Sequence, residues 1–393
     1  MTSFTSPPAR RLRVVQASFH VDVQRRSAES LLDAWPTLPA VASAAHRAGI
    51  DVNVVLAAHR RETLERDGVT YQFMDDPHPQ STHVLGAIGA LSPDVVHVQG
   101  LNFPRAMGPL ARAVPGVPIL VQDHGSVLPS GWRASAWRWA HRSLAAVAFT
   151  SRDQAIPWKR AKILRDDLPV FEVLESSSDF MPGDRDAARR STGMFGGPCL
   201  LWTGSLDTNK DPLTTLSAFE RAAPRLNDAR LFCCFGAGSP LLGAVTERIA
   251  LSEVLRDRVV LLGERPHEEM EIRFRAADFF VQTSHREGSG YSLLEALACG
   301  TTPLVTDIPA SRQIVGDAGS LTPVGDVDAL ADAMVAWSGE DRGALRRAAR
   351  ARFDAALTFD AVGRQLRGAY EALAGMTPSD GPRTTTEWQR VFA

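Results

Sequence analysis

Two glutamates, Glu287 and Glu295, flank a Gly288-Ser289-Gly290 turn within HREGSGYSLLEALACG, the stretch from His285 to Gly300. The apolar run just before it, DFFVQTS, reads as a strand, and the residues after the turn read as a helix starting near Tyr291 or Ser292. The first N–H groups of a helix have no internal partners and carry partial positive charge, so they favour phosphate. Glycines let the backbone approach an anion without a side chain in the way. A phosphate accounts for the turn but not for the carboxylates, which would repel it. Carboxylates accept hydrogen bonds, and the vicinal hydroxyls of a sugar donate them in pairs. Glu287 before the turn and Glu295 one turn into the helix can then grip sugars on either side of one diphosphate. Sugar, diphosphate and ribose in that order describe a nucleotide sugar. The basic residues are almost all arginine, with lysine only at Lys159, Lys162 and Lys210, and this singles out Lys210.

These residues need a scaffold. A chain of 393 residues is too long for one ordinary core, so two domains are expected. Short Val/Ile/Leu/Phe runs alternate with Ala/Leu/Arg segments, the pattern of parallel strands joined by crossover helices. LRVVQAS, DVNVVLA, DVVHVQ, VPILVQD and AAVAFTS are the strands of a first series, with a helix from Leu38 to His46 between two of them. CLLWTG, ARLFCCF, RVVLLG, DFFVQTS and TTPLVTD form a second. The predicted division is a domain over 1–175, a polar, Gly-rich linker over 176–197, a second domain over 198–358, a helix over 359–375 returning to the first, and a loose tail over 376–393. The fold class is α/β, two doubly wound Rossmann-like domains facing each other across a cleft. Ligands in such folds sit at the carboxyl ends of strands, and the segment after DFFVQTS meets that condition.

Composition narrows the function. A net charge of −2 argues against nucleic acid as the main partner. No apolar run approaches the roughly 20 residues of a spanning helix, and the amino terminus lacks the apolar core of a signal peptide. Cys199, Cys233, Cys234 and Cys299 lack metal-ligand spacing and are expected to be structural.

The glutamate segment resembles the Glu-x7-Glu motif of retaining glycosyltransferases of the GT-B fold, the group called family 4. The resemblance runs from about Leu12 to Tyr370. It takes in DVVHVQG, VQDHG, GSLDTNKDPL (Gly204–Leu213), LLGERP, EALACGTTPLVT and GSLTPVGDVDALADAM, all in order and at strand ends. It implies that Glu295 holds the nucleotide ribose and Glu287 the hydroxyls of the transferred sugar. The amides around Gly288, Ser289, Gly290 and Tyr291 meet phosphates or sugar. It implies that Lys210, beside Gly204, neutralises the departing diphosphate, and that His124 orients the donor sugar and stabilises an oxocarbenium-like transition state. Arg265 marks the loop where the base sits. The implied partners are a nucleotide-diphosphate sugar and an acceptor left open among glycan, lipid-linked and small molecules, with no cofactor and no metal. The expected place is the cytoplasm, with a peripheral position at the inner membrane face as the alternative.

Two departures stand out. Ser205 occupies the place of the family's arginine, a loss worth about 2–4 kcal/mol of transition-state stabilisation by analogy with oxyanion donors. The loop SFHVDVQRRSAES after the first strand has no glycine, and Arg25 or Arg26 is a candidate for the missing charge. Other features have plainer readings. Gly236-Ala237-Gly238 reads as a tight turn, His97 as a packed or cleft-lining strand residue, and His285 as a loop residue; His20 is a weaker candidate for the acceptor side. GWRASAWRWAHRSLAAVAF (Gly131–Phe149) is read as a crossover helix with its tryptophans packed on the sheet, in preference to a helix lying on a membrane surface. Rival functions are a sugar-nucleotide epimerase or hydrolase of the same fold and a non-catalytic nucleotide-sugar-binding protein.

Overall fold

The computed structural model describes residues 10–75, 78 and 81–375. They divide into two compact units, the first drawn from Met1–Ser176 and Phe359–Ala393, the second Ser177–Thr358. The tail expected over 376–393 lies outside the described residues, as do residues 1–9 of the stretch read against a signal peptide.

The first unit is built on eight strands: β1 (Arg13–Ser18), β2 (Asp51–Ala57), β3 (Glu62–Arg66), β4 (Val69–Met74), β5 (Val95–Gln99), β6 (Ile119–Gln122), β7 (Ala146–Phe149) and β8 (Val170–Glu172). Their order in the sheet is β3-β4-β2-β1-β5-β6-β7-β8, parallel throughout except for the antiparallel pair β3–β4. Central strands such as β5 and β6 are covered on both faces and so read as near-continuous apolar runs. The β3–β4 hairpin and β8 are absent from the predicted series. The hairpin had a local signal: Asp67-Gly68 joins the strands with φ of 52° and 77°, the left-handed pair that a two-residue turn requires. The helix Phe359–Ala374 packs on this unit. Gly363 lies so close to the Ala44 carbonyl that a side chain there would clash, and Gln365 accepts a hydrogen bond from the Leu174 amide at 3.0 Å. Tyr370 Oη meets the buried His97 Nδ1 at 2.7 Å, and burial lowers the His97 pKa to about 3, so this ring stays neutral.

The second unit holds β9 (Cys199–Thr203), β10 (Arg230–Cys234), β11 (Val259–Gly263), β12 (Phe279–Gln282), β13 (Thr302–Thr306) and β14 (Ser320–Thr322). All pair in parallel in the order β11-β10-β9-β12-β13-β14, the doubly wound order whose direction reverses between β9 and β12. The region predicted as a linker, 176–197, differs from expectation. Residues 177–197 belong to this unit and carry the helix Arg185–Thr192. The reason is electrostatic. Asp278, 1% exposed at the start of β12, is paired with Arg185 at 3.0 Å, Arg189 at 2.8 Å and also with Arg342, while accepting from the Cys199 amide. A carboxylate buried that deeply needs such partners, and two of them come from the supposed linker.

All four cysteines are free and buried, and burial pushes the Cys199 and Cys299 thiols up to about 12. They are packing residues.

Candidate functional site

The reversal point between β9 and β12 is where the charged residues gather. Gly204 follows β9 directly, and its φ of 154° and missing side chain leave room for the stem of Lys210, whose Cγ would lie 3.4 Å from a Cβ there. Lys210 itself is held from both directions. Its amide donates to Asp207 Oδ1 at 2.8 Å, and its carbonyl accepts from Thr283 Oγ1, just past β12, at 2.9 Å. Asp211 next to it takes a left-handed φ of 46°, rare for a residue with a side chain, and caps the helix Pro212–Ala222 through the Thr214 amide. The loop after β12 is tied to this turn as well, because the His285 amide donates to the Asn209 carbonyl at 2.8 Å and Asn209 Nδ2 donates to the Arg286 carbonyl at 3.1 Å. The outcome is a close pair: Lys210 Nζ lies 2.6 Å from Glu287 Oε1, which also accepts from Gln282 Nε2 at 2.8 Å. Segments 77 residues apart thus meet as one charged unit.

The helix after the turn runs Tyr291–Ala298, with Gly290 as its cap at φ 64°, ψ 47°, a conformation that favours glycine. Packing reinforces this choice, since a Cβ on Gly290 would press on Ile314. Ser289 is buried at the same turn. Glu295, one turn in, opens on a cavity of about 460 Å³ that Gly204, Arg265 and Tyr291 also line. Glu295 Oε1 meets His267 Nε2 at 2.7 Å, and His267 stacks on Phe180 at 5.1 Å. The bond to Glu295 raises the His267 pKa above its usual 6.5 against an opposing desolvation. The structure therefore gathers Gly204, Lys210, Glu287, Gly288, Ser289 and Gly290 on one rim, and Arg265, Tyr291 and Glu295 around the cavity. Gly236 lines the same cavity from the turn after β10, where Ser239 Oγ donates to its carbonyl, so the glycine pair makes a turn as expected. His285 is the loop residue that was read, with Nε2 3.2 Å from Asp211. His267 and Gln282 were missed. Neither belongs to a motif, and each earns its place only through contact with a glutamate distant in sequence or across a turn.

The family model described as "Glycosyl transferases group 1" matches residues 197–339. A GDP-mannose:cellobiosyl-diphosphopolyprenol alpha-mannosyltransferase of Xanthomonas campestris is 27% identical over 250 residues, 62% of this chain and 63% of that protein. This chain thus spans less than two thirds of that relative. A 2-deoxystreptamine N-acetyl-D-glucosaminyltransferase of Streptomyces fradiae is 31% identical over 316 residues, 69% of this chain and 73% of the relative. The chain belongs to the group 1 glycosyltransferases. Its fold is GT-B: the structure of Anabaena HepE, solved with UDP and glucose, superposes with a TM-score of 0.64 at 16% identity, covering 92% of this chain and 100% of HepE.

In this glycosyltransferase-family chain the first unit carries a second cluster, again at the carboxyl ends of strands. His124 follows β6, its loop held by Asp123 accepting from the Gly125 and Ser126 amides. Its ring is gripped at both nitrogens, Nδ1 3.2 Å from the buried Glu175 and Nε2 2.7 Å from Gln99 Oε1 at the end of β5. His20, after β1, packs edge-on against Phe103 at 4.8 Å; burial and then the proximity of His124 lower its pKa. Glu175 gave no signal in sequence, because it stands 51 residues from its partner. Arg26 is paired with Asp22 at 2.7 Å within this unit, and Arg25 stands exposed at a left-handed φ of 53°. Among the described residues no group of three or more His, Cys, Asp or Glu is placed to hold a metal ion.

The tryptophan-rich segment differs from the preferred reading. In its helix, Trp132–Ala140, only Ala140 is buried, and Trp132 and Trp139 are 75% and 65% exposed. Trp137 alone turns inward, to stack on Trp158. No helix among the described residues is long and apolar enough to cross a membrane.

Proposed function

We propose that this protein transfers a sugar from a nucleotide-diphosphate donor to a hydroxyl-bearing acceptor with retention of anomeric configuration. The observation that carries the reading is the Lys210–Glu287 pair at the strand-order reversal, beside the glycine-capped helix that presents Glu295. Glu295 takes the ribose hydroxyls, Arg265 borders the base, and the amides of Gly288 to Tyr291 meet the phosphates. On binding, the Lys210 ammonium turns from Glu287 toward the diphosphate, and Glu287 accepts from the sugar hydroxyls instead. His124, fixed by Glu175 and Gln99, orients the sugar and stabilises the charge that develops at its anomeric carbon.

Retention follows if the acceptor oxygen attacks on the face from which the diphosphate departs. The bond from the anomeric carbon to the phosphate oxygen breaks with its electron pair going to the phosphate. A new bond forms to the acceptor oxygen, and the acceptor's proton passes to the leaving phosphate. No protein nucleophile is required, and the residues contribute placement and electrostatics. Lys210, rather than a metal ion, answers the diphosphate's charge. The relatives carry names of enzymes that use a diphosphopolyprenol acceptor and a 2-deoxystreptamine acceptor, which supports transfer to a hydroxyl without choosing the acceptor.

Thermal-shift screening against UDP-, GDP-, ADP- and TDP-sugars tests the reading. A stabilising hit that weakens in Glu295→Ala, followed by acceptor-dependent product whose anomeric proton shows the donor's configuration with chelator present, supports it. Donor consumption without acceptor would point to an epimerase or hydrolase, and binding without turnover to a non-catalytic binder; inverted product would overturn retention.

A further inference from the structure

The helix Trp132–Ala140 carries two aromatic stripes with different destinations. The inner one is used by the fold: Trp137 stacks on the buried Trp158 at 5.9 Å and meets His141 edge-on at 5.5 Å. The outer one is Trp132, Ala136 and Trp139, spaced i, i+4, i+7 on one side of the helix, and all three are exposed. A water-facing helix ordinarily turns its large apolar residues inward, and a tryptophan can bury roughly 150–250 Å². Two left outside on one line are therefore a cost that the fold of this unit does not explain. Val127, 64% exposed in the loop ahead of the helix, extends the same surface.

Charge says what covers it. The stripe borders a groove of about 800 Å³ lined by Arg105, Arg112 and Arg133, with no Asp or Glu among its lining residues. The arginines are interleaved with the rings: the Arg133 guanidinium lies 5.9 Å from the Trp132 ring centre, and both Arg112 and Trp139 approach Gly108. Indoles beside arginines on one edge, without carboxylates, match the boundary of a bilayer, where the ring sits among headgroups and the guanidinium meets lipid phosphate. A second copy of the chain fits less well, since a two-fold contact through this face sets the arginines against their own copies.

We propose that this face of the first unit docks on an anionic phospholipid surface, with Trp132 and Trp139 inserted at headgroup depth and Arg112 and Arg133 on lipid phosphates. The inference does not rest on the nucleotide-sugar reading, and its test needs no donor. The full chain is floated with phosphatidylcholine vesicles containing phosphatidylglycerol, and with phosphatidylcholine alone. Co-flotation only with the anionic vesicles is expected, weakened by salt. The double variants Trp132→Ala/Trp139→Ala and Arg112→Ser/Arg133→Ser should each lower the partition coefficient about tenfold or more, by analogy with the worth of interfacial contacts, while melting like the wild type. Failure to float with anionic vesicles overturns the proposal, and so does flotation that both variants leave unchanged. A dimer in light scattering that the tryptophan variant dissolves, without vesicle binding, would reassign the face to a second copy.

Discussion

The two sheets present their carboxyl ends with different physical chemistry. In the second unit the ionisable residues lie in each other's grip: Lys210 with Glu287, Glu295 with His267, tied down by side-chain-to-backbone hydrogen bonds between the loops after β9 and β12. In the first unit the centre is an imidazole, His124, between a buried carboxylate and an amide, with His20 pressed nearby by burial. A site of paired charges can be re-partnered: under the proposed function an anion would compete for Lys210 and hydroxyls for the glutamates. A site of oriented imidazole is built to stay as it is. Under the proposed function, binding and charge neutralisation would fall to the second unit's cluster and orientation to the first unit's.

The largest effects should therefore fall in the second unit. Lys210→Ala is expected to lower turnover about 10²–10³-fold, the range for removing a group aimed at developing charge. Lys210→Arg, which keeps the charge but not the compact reach into the space beside Gly204, should recover only part. Single-turnover rates at saturating donor make the measurement; a loss under tenfold for Lys210→Ala would take this lysine away from the diphosphate. Glu295→Ala comes next. Losing charge-assisted bonds to a ribose costs about 1.5–3 kcal/mol, so donor affinity in calorimetry should fall roughly ten- to 150-fold with a smaller change in turnover at saturation. Turnover falling while affinity holds would move Glu295 from ribose holding into the chemistry.

The same contrast accounts for what could be read from sequence. Glu287, Glu295, Gly290 and Lys210 were legible because strand ends and helix starts fix them locally, and because carboxylates at the mouth of a helix lack a simple packing explanation. Five strands of the second sheet were legible as apolar runs, although β14, three residues long, carries too little pattern to register. Glu175 and His267 were not legible, since their significance lies in contacts that only folding makes. The supposed linker failed for a similar reason: its arginines look like solvated charge until Asp278 is seen buried in the opposite strand. The tryptophans failed because a helix rich in Trp is assumed to bury it, and composition cannot say which of three rings faces the sheet.

A moderate effect should expose the first unit's role. Glu175→Gln keeps the shape of the side chain beside His124 but removes its charge. If orientation is what this cluster supplies, turnover should fall about tenfold, well short of the Lys210→Ala loss, with donor affinity unchanged. Comparable losses from Glu175→Gln and Lys210→Ala would erase the distinction between the two clusters.

The smallest effect has the sharpest sign. His267 and His20 depart from the ordinary histidine value in opposite directions, the first raised by its bond to Glu295, the second lowered by burial and by His124. Protonation of His267 is favoured by folding. Its contribution is fully present below about pH 6.5, the unfolded value, and is lost as pH rises through the higher folded value. Protonation of His20 is disfavoured by folding, so the protein forfeits stability as pH drops below about 6.5 toward the lower folded value. Both rings are substantially exposed, which holds each contribution to a few tenths of a kcal/mol, about 1 °C in melting temperature. Melts of wild type, His267→Ala and His20→Ala at pH 5.5 and 8.5 (roughly one unit below and two above the crossover) separate them. His267→Ala should lie furthest below the wild type at the acidic pH and converge with it at the basic one. His20→Ala should gain on the wild type at the acidic pH. Curves that move together would mean that the two clusters do not differ in the way their charges imply.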